Sequence, residues 1–100
     1  MATVTKKFHS DAGHGWLAVK IHELKMLGIE TEISPYSYVR GGTAYLEEDS
    51  DAQKFINAMQ DSNIDIIEIG SIEITDSDKS GFAIYQNIED ILPGIYEKGE

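Results

Sequence analysis

The sequence predicts an α+β fold, with an antiparallel sheet built from hairpins and packed against two main helices and a short C-terminal helix. Three observations predict it. The chain has 100 residues, enough for one core and too few for two. Apolar residues alternate over short runs bounded by Gly and Asp, as in strands joined by turns. Between those runs lie two stretches whose apolar residues recur at helical spacing. The whole chain, 1–100, is therefore read as a single domain.

The first extended segment is Val4–His9. Ser10-Asp11-Ala12-Gly13-His14-Gly15 then turns the chain into a short strand, Trp16–Val19. From Lys20 the pattern is helical. Ile21, Leu24 and Leu27 are spaced by three, and Gly28 followed by Ile29 supplies the left-handed residue and the apolar contact that end a helix. Ile33–Val39 and Thr43–Glu48 flank Arg40-Gly41-Gly42, and a Gly-Gly pair accepts the positive φ of a primed hairpin turn. Asp49 or Ser50 can cap the next helix, in which Ala52, Phe55, Ile56 and Met59 fall at i, i+3, i+4 and i+7. Within Ile64–Thr75 the alternation slips between Ile66 and Ile67 and again around Gly70, which predicts a bulge or a break. This segment is expected to form a hairpin with Phe82–Tyr85 across Asp76–Gly81, and Asn87 caps a closing helix that Pro93-Gly94 ends.

Charge is unevenly spread. Acidic residues outnumber basic ones by 18 to 8, a net charge of −10. Residues 1–46 hold five basic and four acidic groups, whereas 47–100 hold three basic and fourteen acidic, so the negative field belongs to the second half. Such a molecule is repelled by nucleic acid and by anionic membranes, which excludes broad direct binding to either. Cysteine is absent, removing disulfides, thiolate metal sites and thiol nucleophiles. No leader-like apolar region follows Lys6-Lys7, and no stretch approaches the roughly 18 apolar residues of a membrane span. A soluble cytoplasmic protein is expected, with no cofactor.

Glu47-Glu48-Asp49-Ser50-Asp51 places four carboxylates at the start of the second helix. One or two serve the helix dipole and the cap. The rest, joined by Asp61, Asp65, Glu68, Glu73, Asp76 and Asp78, repel one another and suit a surface that meets a basic partner. His9, Asp11 and His14 are the weak metal candidates, since two imidazoles and a carboxylate are zinc or iron ligands, here on a loop with no established spacing. Trp16 and Tyr38 would stand at a pocket beside them. Asp76–Gly81 opens like a calcium loop, but Asn87 stands where the twelfth-position Glu should be, and a polar turn explains it better. Ser10 and Ser34 lack the surroundings of a catalytic serine.

His9-Ser10-Asp11-x-Gly13-His14-Gly15-Trp16-Leu17-x-Val19, Leu24-x-x-Leu27-Gly28-Ile29, Ile33-Ser34-x-Tyr36-Ser37-Tyr38 and Tyr45-Leu46-Glu47-Glu48-Asp49 occur in that order. Together they resemble a family of small proteins carried by bacteriophages and mobile elements. The resemblance covers about residues 5–60, leaving the acidic part from about 63 to 100 outside it. It implies an accessory protein of a phage-like element, expressed in the bacterial cytoplasm. By analogy of class and size, it implies a non-enzymatic inhibitor of a host defence nuclease or nucleic-acid-binding complex, of the anti-CRISPR or anti-restriction kind, whose carboxylates stand in for DNA phosphates. Glu47, Glu48, Asp49, Asp51, Asp65, Glu68, Asp76 and Asp78 would form that surface. A metal-dependent enzyme or ligand-binding module using His9, Asp11 and His14, and a plain structural or interaction protein, are the alternatives. A homodimer through a sheet edge is a further expected possibility.

Overall fold

A computed structural model describes residues 2–73, 79 and 81–85, with the backbone alone for residues 68–73. The described elements are β1 (Ala2–Ser10), β2 (Gly15–Lys20), α1 (Ile21–Leu27), β3 (Tyr38–Arg40), β4 (Thr43–Glu47), α2 (Asp51–Asp61), β5 (Ile64–Glu73) and β6 (Ala83–Ile84). Among the described residues the six strands form one sheet, ordered β5-β1-β2-β4-β3-β6. All its pairings are antiparallel except that of β1 with β5. The fold is α+β, as the sequence predicts.

Each early element has a local cause. Gly28 ends α1 at φ 73°, with its own N–H on the Lys25 carbonyl and that of Ile29 on the Leu24 carbonyl. Glu23 steadies the other end, accepting from the Lys20 N–H at 2.9 Å and from Lys6 Nζ at 2.6 Å. Gly41 takes φ 60° at the first position of the two-residue β3–β4 turn, the place where a type II′ hairpin needs glycine. Gly42 then accepts the Ile21 N–H at 3.0 Å, anchoring that turn to α1.

Three expectations are corrected. Ile33–Ser37 is a turn, because Pro35 has no N–H to give a ladder and the Ser37 N–H is spent on the Ser34 carbonyl; β3 is therefore only Tyr38–Arg40. Neither Asp49 nor Ser50 caps α2 with its side chain: Ser50 stands at the helix boundary without a side-chain cap bond. The hairpin between Ile64–Thr75 and Phe82–Tyr85 does not form, since β5 and β6 occupy opposite edges of the sheet. The helix α2 returns the chain to the free edge of β1 in the parallel sense that a helical crossover permits. β6 adds to β3 instead, Tyr38 opposite Ile84, held there by the buried Tyr85 beyond it.

The slip in β5 is a bulge. Lys7 pairs with Ile69 and Phe8 with Ser71, so Gly70 is the extra residue within one continuous strand. Ile64 and Ile66 pack on the core, whereas Ile67 is exposed. Both helices cover one face of the sheet. There Leu17, Val19, Val39, Ala44 and Leu46 meet Ile21 and Leu24 of α1 and Ala52, Phe55 and Met59 of α2. The closing helix from Asn87, and residues 74–78 and 80 of the expected turn, lie outside the described residues.

Candidate functional site

Side chains alternate along a strand, so the residues between the core positions emerge on the face opposite α1 and α2. Trp16 stands there opposite Glu47, and Tyr38 opposite Tyr45. The rings form a continuous row. His14 stacks on Trp16 at 5.8 Å between centroids, and Trp16 meets the edge of Tyr38 at 6.1 Å. Phe82 stacks on Tyr38 at 5.4 Å and lies 4.6 Å from Tyr45, whose other side meets His9 at 5.4 Å.

Of this row, His14, Trp16, Tyr38 and Phe82 line a cleft of about 650 Å³. One wall is the β1–β2 turn. Asp11 shapes it by accepting the N–H groups of Gly13 at 3.0 Å and His14 at 2.8 Å, with His14 Nδ1 3.3 Å away. Its second oxygen pairs with Lys79, brought in from far along the chain, and Lys79 Nζ also sits 5.9 Å over the Trp16 ring. The Lys79 ammonium, followed by the Gly13 and His14 donors, holds the Asp11 carboxyl well below the usual carboxylate range.

The opposite wall is the β4–α2 turn, with Tyr36 at the mouth. Glu47 fixes the turn that leads into α2 without capping the helix. Its carboxylate accepts the N–H of Asp49 at 2.8 Å and that of Ser50 at 3.1 Å. Glu48 and Asp49 are left exposed.

Asp51 is not part of an exposed acidic surface. It is wholly buried, accepting at Oδ2 from the Ser34 N–H at 3.0 Å, the Ser34 hydroxyl at 2.7 Å and the Ser37 hydroxyl, and at Oδ1 from Lys54 at 3.2 Å. Burial alone would raise its pKa, but these four bonds outweigh it and the carboxyl is lowered. Asp65 is half-buried at the start of β5, separated from β4 by two strands. The Glu68 side chain, Asp76 and Asp78 lie outside the described residues. Among the described residues the expected carboxylate group thus comprises Glu47, Glu48 and Asp49, at the end of β4 and in the turn after it.

The metal candidates are also only partly united. Asp11 and His14 meet, while the His9 ring turns to Tyr45; among the described residues no three such side chains are placed to hold an ion. Lys79 and Phe82 were not legible as site residues, since the Asp11–Lys79 contact spans 68 positions and has no local signature. Among the described residues no helix is long and apolar enough to cross a membrane. No family model matches the chain, and neither a curated protein nor a solved structure is similar to it at a significant level.

Proposed function

We propose that this chain is a non-catalytic acidic binding protein that occupies a Lys/Arg-lined, nucleic-acid-binding surface of a partner protein. The observation that carries the reading is the exposed pair Glu48 and Asp49, set beside Glu47 on a turn within the half of the chain that supplies fourteen of its eighteen acidic groups. Opposite charges across an interface speed encounter and exclude wrong partners, and both effects weaken with salt. The phage-like resemblance of residues 5–60 supports a host defence nuclease, or a nucleic-acid-binding complex, as the target. Asp51 takes no part in the contact; it builds the turn from behind.

The test is a pull-down from nuclease-treated bacterial lysate at low and moderate salt, followed by DNA competition against the retained protein. Wild-type chain is expected to retain a basic protein that moderate salt releases and that no longer binds DNA while held. Glu48→Lys combined with Asp49→Lys, both at exposed positions, should abolish retention. Unchanged retention by that double variant, at both salt levels, would sink the reading.

A further inference from the structure

We infer that the cleft between the β1–β2 and β4–α2 turns is a socket for an arginine side chain presented by the partner, an inference that rests on the docking function proposed above. The cleft falls within the size range of small-molecule sites, roughly 300–1,000 Å³, so it has ample room for a whole side chain. Among the described residues its lining carries three carboxylates, Asp11, Glu47 and Asp49, against one ammonium, that of Lys79. A cation is therefore the complementary guest.

The floor is already a cation platform. Lys79, with its charge matched by Asp11, holds its ammonium 5.9 Å from the Trp16 ring, so cation–π contact is a property of this surface and not an extrapolation. A second cation has its own place beside it. Tyr36 is 75% exposed at the mouth, offering a ring face, and Asp49 is exposed on the opposite wall. Glu47 is fixed in orientation by two backbone donors, and a carboxylate has room for more than the one bond each oxygen makes. Flat rings beside a fixed carboxylate fit a guanidinium better than an ammonium, because the planar group stacks and forks at once, whereas lysine offers a point charge.

Trp16 is the sole tryptophan of the chain and lines the cleft, so its fluorescence reads occupancy directly. The experiment titrates the intact protein with hexa-arginine and, separately, hexa-lysine, with binding followed by Trp16 emission and by calorimetry. Hexa-arginine is expected to give a saturable emission change and to bind roughly tenfold tighter than hexa-lysine. Tyr36→Ala and Asp49→Asn, both at exposed positions, should each weaken it several-fold, and circular dichroism checks that they fold. Equal binding of the two peptides with Trp16 unchanged overturns the socket and leaves the acidic docking function standing. Absence of calorimetric binding to either peptide at low salt overturns both.

Discussion

The hydroxyl of Ser37 donates to Asp51 Oδ2 at 2.5 Å, and this bond ties the loop after α1 to the first turn of α2. Both residues are 0% exposed, and among the described residues no buried side-chain nitrogen or oxygen is left without a partner. Asp51→Ala would orphan the Ser34 and Ser37 donors and leave Lys54 with its bond to the Glu32 carbonyl. The expected cost is about 3 kcal/mol, a fall of roughly 12–24 °C in thermal midpoint for a domain of this size. Asp51→Asn, which keeps the shape and an acceptor, should cost less. A melt of the alanine variant superimposable on wild type would contradict the network.

Acid should weaken the fold through two of its carboxylates. Asp51 and Asp11 are both lowered in the folded state, so each stabilises it when ionised. That contribution is complete above the unfolded-chain value, about 4, and is lost as pH falls from there through the depressed folded values. The urea midpoint should therefore drop as pH falls below about 4, and less steeply in Asp51→Asn. A midpoint that rises on acidification would refute the sign.

Gly15 is required by its neighbour. A Cβ there would stand 2.4 Å from the ring of Phe8 and 2.9 Å from a Glu48 carboxylate oxygen. Phe8 packs against the core and cannot swing away freely. Gly15→Ala should cost about 1–3 kcal/mol. At Gly13 a Cβ would meet nothing within 4 Å, so Gly13→Ala should stay within about 0.5 kcal/mol of wild type. Chemical denaturation of the two variants side by side separates packing from turn chemistry.

Tyr85 fastens the far edge of the sheet. It is 2% exposed, gives its N–H to the Ser37 carbonyl at 2.9 Å and directs its hydroxyl to the Glu30 carbonyl. Tyr85→Phe should lose about 1 kcal/mol and Tyr85→Ala about 3–5 kcal/mol. Two equally mild variants would show that this segment contributes little to the core.

The elements with local causes were legible in the sequence. Gly28 and Ile29 marked the end of α1, the spacing of Ala52, Phe55 and Met59 marked the buried face of α2, and Gly70 marked the bulge. Partner choice was not legible, because alternation identifies a strand without saying which edge it joins; hence β5 and β6 were expected side by side and stand at opposite edges. The cleft was half legible. Trp16 and Tyr38 were named together, but Lys79 and Phe82 enter it only through tertiary contact. A run of carboxylates likewise conceals that Glu47, Asp49 and Asp51 have three different surroundings, set by loops that composition does not encode.

The edge position of β5 gives its acidity a consequence for the molecule on its own. The strand holds five isoleucines within ten residues, a composition that in an uncharged edge strand would template the stacking of copy upon copy. Asp65, Glu68 and Glu73 are interleaved with them. Among the described residues β5 is an edge strand, and charged residues interleaved with isoleucines are a sequence device that disfavours the pairing of one such edge with another.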